Sequence, residues 1–175
     1  ISNELGFVEK HLEQYKQKER LSDLKTNMTL DLNTNNEYEK KLLDVEMQLN
    51  MTNYIYNYLS DDKHRFSLLP VNTGIADTEL VQLINEYNKE LLERERLMNT
   101  MKADNPTVVN QDIRIDALRR NVVSSVVGVK DGLSIARTDI LRKTDYFNSR
   151  IGNMPKQERE FNNIDRQQQI KANLY

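Results

Sequence analysis

The side chains that could carry a reaction are few and widely spaced in this sequence. The two histidines, His11 and His64, each lack a second histidine three to five residues away, the spacing that brings two zinc ligands together. The chain has no cysteine, which excludes disulfides, thiolate metal ligands and cysteine nucleophiles. The acidic pair Asp61-Asp62 has the pattern of a charged loop, whereas two catalytic carboxylates need a cleft between them. We therefore predict no catalytic residue, no metal site and no cofactor.

Three tyrosines, Tyr54, Tyr56 and Tyr58, alternate near the end of a long helical pattern. We expect Tyr56 to pack in a seam between helices and the other two to lie on the flanks of that seam. The alternative is a surface on which sugars stack, because tyrosine offers an apolar ring face and a hydroxyl group. The sequence leaves both interpretations open.

The composition is that of a helical chain with balanced charge. Of 175 residues, 38% are hydrophobic and 30% charged, while five glycines and three prolines supply few turns for a many-stranded sheet. Lys and Arg number 25 against 27 Asp and Glu, so the cationic excess needed to bind nucleic acid is missing. No apolar run approaches the ~18 residues of a membrane span. Because the chain begins at Ile1 and ends inside a helical pattern, we expect a soluble piece of a longer protein.

The first long helix is predicted over residues 3–59, which contain no proline. Its main stripe advances in steps of three and four residues, the 3.5-residue average of a coiled coil. The stretch DLNTNN at 31–36 combines poor helix formers and places polar groups in the stripe. We predict a continuous helix, with a local unwinding at 31–36 as the alternative. The stripe consists of Leu21, Leu24, Met28, Asp31, Asn35, Tyr38, Leu42, Val45, Leu49, Thr52, Tyr56 and Leu59.

A loop is predicted over residues 60–76, where proline, asparagine and glycine interrupt the pattern. We expect its apolar residues Leu68, Leu69 and Val71 to pack against a helix. The second helix is predicted over residues 77–102, with Asp77 as its N-cap. Its stripe consists of Leu80, Ile84, Tyr87, Leu91, Arg94, Met98 and Met101.

The third helix is predicted over residues 105–151, and Asn105-Pro106 provides a capping side chain followed by a proline in the first turn. The β-branched stretch VVSSVVGV at 122–129 could also form a strand. We prefer a helix, because apolar residues recur seven apart through this region, at Val126, Leu133, Ile140 and Phe147.

Glycines and a proline predict two further features of this region. Gly128 and Gly132 lie four residues apart, a spacing that allows a neighbouring helix to approach closely. The sequence GNMP at 152–155 predicts a break, since glycine often follows a helix end and proline often starts the next helix. The last helix is therefore predicted over residues 155–175.

These patterns predict an all-α fold, in which long helices with narrow apolar stripes lie alongside one another. The connectors allow the chain to reverse direction, so we expect an elongated antiparallel, coiled-coil-like hairpin or bundle. We treat residues 1–175 as one helical region of a longer protein.

Several stretches, in order along nearly the whole chain, resemble the periplasmic helices of bacterial polysaccharide co-polymerases, the chain-length determinants of the Wzz/Wzc type. The most specific is the last, which looks like the Pro-x-x-Glu, Arg, Tyr signature of that family: Pro155, Glu158, Arg166 and Tyr175. The stretches are Leu5-Gly6-Phe7-Val8-Glu9-Lys10, Tyr15-Lys16, Leu21-Ser22-Asp23-Leu24, Tyr58-Leu59-Ser60-Asp61, Leu68-Leu69-Pro70, Gly74-Ile75, Glu86-Tyr87-Asn88, Leu91-Leu92-Glu93-Arg94, Asn105-Pro106, Asp116-Ala117-Leu118-Arg119, Met154-Pro155-Lys156-Gln157-Glu158-Arg159-Glu160, Arg166-Gln167-Gln168, Ile170-Lys171 and Leu174-Tyr175.

The resemblance implies a non-catalytic part of an inner-membrane protein that forms homo-oligomers and regulates the length and export of capsular polysaccharide or exopolysaccharide. The partners it implies are further copies of the chain, the polymerase and export machinery, and the growing glycan. Members fused to a cytoplasmic tyrosine autokinase agree best, although no nucleotide motif occurs in these residues. Glu158 and Arg166 are candidates for charge-assisted contacts, each with a different partner, since eight residues separate them along one helix.

Two other functions fit the same helical pattern. The chain could be the helical hairpin of a periplasmic efflux or secretion adaptor that docks onto an outer-membrane channel, which predicts a lipoyl-like β-domain around it. It could also be an intracellular coiled-coil scaffold, which predicts that neither flank is membrane-bound.

Overall fold

The computed structural model describes residues 2–172, with the side chains of residues 6, 7, 9–159, 163 and 166. Its elements in chain order are helix α1 (Ser2–Ser60), a short 3-10 turn (Asp62–His64), helix α2 (Thr78–Met98) and helix α3 (Pro106–Ala172). The residues described contain no strand, and the β-branched stretch at 122–129 is helical. The predicted all-α fold is confirmed.

The chain divides into two compact units. Unit 1 comprises Ile1–Lys41 and Ile140–Tyr175, and unit 2 comprises Leu42–Asp139. The prediction of one helical region did not include this division. α1 and α3 contribute to both units, whereas α2 belongs to unit 2 alone.

Unit 2 is built around a core to which α1, the loop, α2 and α3 all contribute. Within α2 the predicted stripe is buried from Leu80 to Leu91, so one face of this helix enters the core. Farther along the helix the prediction was wrong, because Leu97 is buried whereas Met98 is exposed. The core consists of Ile55, Leu59, Leu69, Ile75, Leu80, Ile84, Tyr87, Leu91, Ile115, Val122 and Val126.

The loop between α1 and α2 is held by neighbouring side chains of α2. Asn88 Nδ2 donates to the carbonyl of Leu69, and the Leu69 amide donates to Asn88 Oδ1, each at 2.8 Å. The Tyr87 hydroxyl donates to the carbonyl of Arg65 at 3.0 Å. Leu69 is buried as predicted, but Leu68 and Val71 are exposed. The two hydrogen bonds with Asn88 hold the backbone of Leu69 alone, and of these three side chains only that of Leu69 is buried.

Both helix starts after the loop have the predicted caps. The Asp77 carboxylate accepts from the amide of Leu80 at 2.8 Å, and Asn105 Oδ1 accepts from the amide of Thr107 at 2.9 Å. α2 ends at Met98, four residues before the predicted end. Just after the helix end, amides donate to carbonyls only three residues earlier, as Thr100 N does to Leu97 O at 3.1 Å. Such bonds often satisfy the last carbonyls of a helix.

α3 does not break at residues 152–155, so the predicted separate helix over 155–175 is wrong. Proline in a helix removes one backbone hydrogen bond, but Gly152 and Pro155 are exposed, where water can hydrate the freed carbonyl. The residues after Pro155 are good helix formers, and Arg159 Nε donates to the Pro155 carbonyl at 3.1 Å. These contributions favour continuation over a break. Residues 173–175 of the predicted last helix lie outside the described residues.

The C-terminal end of α1 is capped by a side chain from α3. No basic residue lies in the last turn of α1 itself. Instead the Arg119 guanidinium donates to the carbonyl of Leu59 through Nε at 3.1 Å and also through a second nitrogen. A cation at this position interacts favourably with the helix dipole and satisfies a carbonyl that has no partner within α1.

We expect Arg119→Ala to lower the free energy of unfolding by about 1–3 kcal/mol, because a partly buried carbonyl loses a charged donor. Urea unfolding followed by circular dichroism measures the change. Arg120→Ala is the matched control, since Arg120 is the exposed neighbour on the same helix. Equal effects of the two substitutions would contradict the capping role.

A second prediction concerns Tyr87, whose pKa is raised chiefly by burial. A phenol with a raised pKa in the folded state contributes stability that is complete below the unfolded value of about 10 and is lost as pH rises through the folded value. We expect thermal unfolding midpoints to fall above about pH 10 more steeply in the parent chain than in Tyr87→Phe. The half-exposed Tyr54 provides the control, Tyr54→Phe, which should retain the parent slope.

Candidate functional site

The most distinctive cluster in unit 1 is a polar layer between α1 and α3. Asp31 and Asn35 are buried to 8% and 5% exposure, at positions of the stripe where a coiled coil usually places apolar side chains. Asp31 Oδ2 forms an ion pair with Arg150 Nε at 2.9 Å, and Asn35 Nδ2 donates to Asn148 Oδ1 at 3.0 Å. The stretch predicted to be the weakest part of α1 thus stays helical, and its two buried polar side chains have partners on α3.

Two of these side chains have further contacts. Arg150 also donates to the Tyr146 hydroxyl at 3.1 Å, and this bond, together with the charge of Asp31, raises the pKa of Arg150. Asn35 Nδ2 donates to Glu39 Oε1 at 3.3 Å as well, so both of its N–H groups are used. Its carbonyl oxygen is buried and accepts no hydrogen bond among the described residues. The polar layer therefore joins particular residues of the two helices, but it leaves one buried hydrogen-bond acceptor without a described donor.

An aromatic contact lies next to the polar layer. The rings of Tyr38 and Phe147 stack with their centroids 5.8 Å apart. The Lys41 and Lys143 ammonium groups each lie 5.5 Å from the centre of the Tyr38 ring. Tyr38 and Phe147, predicted for the stripes of different helices, face each other here.

The pairs in this cluster show that α1 and α3 run antiparallel in unit 1. Position 31 pairs with 150, position 35 with 148 and position 38 with 147, so one number rises as the other falls. Unit 2 has the same order: Glu46 pairs with Arg137 at 3.1 Å, Tyr56 lies under Lys130, and Leu59 contacts Arg119. The predicted antiparallel, coiled-coil-like pairing is present within each unit.

The three described residues of the predicted signature are not brought together. Pro155 and Glu158 are exposed on α3, and Arg166 is exposed on the same helix eight residues after Glu158. Neither Glu158 nor Arg166 pairs with another side chain among those described. Tyr175 lies outside the described residues. The roles assigned to these four residues by resemblance stay predictions.

The tyrosine cluster of unit 2 packs mainly against the protein. Tyr56 and Tyr58 contact the core, and the Tyr58 ring stacks on His64 with centroids 4.0 Å apart. Tyr54 is 52% exposed. The seam position of Tyr56 is therefore confirmed, Tyr54 lies on the flank, and His64 sits against an aromatic ring.

Gly128 and Gly132 do not serve a close helix contact within this chain. A Cβ atom added at either glycine would meet no atom within 4 Å, so none of the described helices approaches them closely. The close approach predicted from their spacing is wrong for the packing inside this molecule. Both glycines are exposed on the surface of α3.

An outward apolar stripe on α1 was missed by the sequence reasoning. Leu43, Met47 and Tyr54 are 61%, 63% and 52% exposed and follow one another at spacings of four and seven. That spacing, on the face opposite the buried Thr52 and Ile55, is the signal that could have identified it. It is a second heptad-like stripe on a helix whose first stripe is already paired.

Among the described residues, no group of three or more His, Asp or Glu side chains is placed to hold a metal ion. None of the helices described combines the length and apolar character needed to cross a bilayer. Comparisons of the chain with protein-family models, with curated proteins and with solved structures find no match in any of the three.

The polar layer predicts a role in helix register. We expect Asn35→Leu to raise the free energy of unfolding by about 1 kcal/mol, since a buried amide is replaced by an apolar group and the exposed Asn148 can be hydrated. The same change should allow α1 and α3 to shift, because buried polar pairs fix register in coiled coils at a cost in stability. Urea unfolding measures the first effect.

The shift can be measured by thiol cross-linking, since the chain has no cysteine of its own. Tyr38→Cys with Phe147→Cys should be joined by a short bismaleimide in high yield, and the yield should fall when Asn35→Leu is added. Tyr38→Cys with Ser149→Cys, on an exposed part of α3, gives the background. An unchanged yield in the Asn35→Leu background would contradict the register role.

Proposed function

We propose that this chain is a non-catalytic, periplasmic coiled-coil portion of a polysaccharide co-polymerase, which regulates the chain length and export of a capsular polysaccharide or exopolysaccharide. The support from sequence is the ordered resemblance that ends in Pro155, Glu158, Arg166 and Tyr175. The single structural observation that carries the proposal is the antiparallel α1–α3 pairing with a polar layer in its seam. A scaffold that must hold other molecules at a set position benefits from helices that cannot slide.

The outward stripe on α1 supports self-association in this proposal. Leu43, Met47 and Tyr54 leave apolar area in water along one helix face, and such exposed stripes are typical of helix–helix interfaces. In an oligomeric co-polymerase this face packs against a neighbouring copy. The seam inside each protomer and the stripe between protomers then have separate functions.

A helical hairpin of an efflux or secretion adaptor is the second candidate, favoured by the same antiparallel pairing. Such a hairpin needs only two helices and a short connection. Here the connection contains α2, which supplies Leu80, Ile84 and Tyr87 to the core of unit 2. The third helix makes the co-polymerase the better interpretation.

The test of the proposal is polymer length in cells that carry variants of the full-length protein. We expect Leu43→Glu with Met47→Glu to shift the polymer length distribution and to reduce cross-linked oligomers, since two buried carboxylates would destabilise an apolar interface. Asn33→Glu with Asn36→Glu adds the same charge at exposed positions of α1 and should leave both unchanged. Normal polymer and normal oligomers in the stripe variant would overturn the proposal.

Charge reversal tests the residue suggested by the signature in the same assay. Arg166→Glu should change polymer length or oligomerisation, whereas Lys156→Glu, at an exposed position of the same helix, should not. If Arg166→Glu changes neither, Arg166 has no part in the function.

A further inference from the structure

A polar groove runs between α1 and α3 in unit 2, on a side of the pair away from the apolar core. Its volume of about 540 Å³ is in the range of small-ligand pockets, about 300–1,000 Å³. The lining side chains that matter for binding are Asn50, Asn53, Lys130, Ser134, Arg137 and Thr138. The groove is therefore rich in amide and hydroxyl groups, with two cations at its α3 side.

The two asparagines offer free hydrogen-bonding groups. Asn50 is exposed and Asn53 is half-buried, and neither side chain bonds to another described residue. Each amide presents two donors and one carbonyl acceptor. A ligand that fits must therefore both donate and accept hydrogen bonds at neighbouring positions.

The hydroxyl groups on the opposite side act mainly as acceptors. Ser134 Oγ donates to the carbonyl of Lys130 at 2.8 Å, and Thr138 Oγ1 donates to the carbonyl of Ser134 at 3.0 Å. Their protons are engaged within α3, which leaves their lone pairs to a ligand. Acceptors on one side and amides on the other match a polyhydroxylated molecule, since each sugar hydroxyl donates and accepts.

The charges of the groove leave one cation uncompensated. Arg137 Nε is paired with Glu46 Oε1 at 3.1 Å, whereas no carboxylate among the described residues pairs with Lys130. The Lys130 ammonium lies 5.6 Å from the centre of the Tyr56 ring, which holds it at the groove. One positive charge without a described partner, beside neutral amides and hydroxyls and one internal ion pair, suits a ligand with a single carboxylate, whereas phosphate sites converge several donors.

An independent feature of the sequence supports an acidic ligand. Residues 47–60 of α1 contain no charged side chain, although 30% of the whole chain is charged and its net charge is −2. Carboxylates close to a site repel an anion over roughly 8 Å at physiological salt. The α1 wall of the groove lacks carboxylates from Met47 onward, and the carboxylate of Glu46, which also lines the groove, is neutralised by its ion pair with Arg137.

From these observations we infer that the groove binds a short acidic saccharide, with a uronic acid carboxylate at Lys130 and sugar hydroxyls at Asn50, Asn53, Ser134 and Thr138. The inference rests on the proposed function and specifies the class of glycan that the chain contacts. Its chemistry needs only the groove residues of unit 2, so it can be tested on the chain alone.

The experiment titrates the 175-residue chain with a galacturonic acid hexamer and follows amide signals by NMR. We expect saturable shifts of the Asn50 and Asn53 side-chain amides, and a Kd at least fivefold weaker for Lys130→Gln. Lys89→Gln, at an exposed lysine of α2, is the matched control and should bind as the parent chain does. The methyl ester of the hexamer lacks the carboxylate charge. The parent chain should bind this ester as weakly as the Lys130→Gln variant binds the acid.

Four results would overturn the inference: no shifts with the hexamer, shifts confined to residues outside the groove, equal binding of acid and ester, or equal binding of a glutamate hexapeptide, which would indicate a general anion site. Failure of the groove inference can be distinguished from failure of the proposed function, because the cellular assay tests the proposed function separately. Binding with normal polymer length in the stripe variant would overturn the proposed function alone, and altered polymer length without binding would overturn the groove alone.

Discussion

The structure depends on one constraint: the apolar stripes of α1 and α3 are too narrow to be buried unless the helices lie against each other in one alignment. A helix stripe of this kind covers only part of the circumference, so it is satisfied by a second helix and not by a broad core. In unit 1 the alignment is set by Asp31–Arg150 and Asn35–Asn148, side chains that an apolar seam would not contain. These pairs are costly to bury, and their value lies in excluding other registers.

Unit 2 satisfies the same constraint with a third helix. Where α1 ends, α2 fills the space with Leu80, Ile84 and Tyr87, and α3 completes the core with Val122 and Val126. The backbone groups at this turn are bonded by side chains from other elements: Arg119 caps α1, and Asn88 and Tyr87 hold the loop. The reversal of the chain is thus built from packing and from backbone satisfaction together.

The periodicity of apolar residues predicted most of the helices, but it could not predict the continuity of α3 at Pro155 or the groove between α1 and α3. The seven-residue repeat from Val126 to Phe147 identified α3 correctly against the strand alternative, and the caps Asp77 and Asn105 placed two helix starts. The break at Pro155 was wrong, because local residue preferences say nothing about how well an exposed helix tolerates a missing bond. The groove was not predictable either, since it joins Asn50 and Asn53 with residues about 80 positions away, and pairing register is a tertiary property.

The division of surfaces on α1 bears on which kinds of molecule each surface could bind. Its inward stripe packs against the rest of the chain, its outward stripe of Leu43, Met47 and Tyr54 is apolar, and the groove beside it is polar, with Lys130 paired to no described carboxylate. A protein neighbour gains most from the apolar stripe, because burying it releases water, whereas a saccharide gains most from the groove, where amides replace its hydration. Because the two surfaces differ in chemistry, they need not compete for one ligand. Within unit 2, the ion pair between Glu46 and Arg137 joins the two walls of the groove, since Glu46 belongs to α1 and Arg137 to α3.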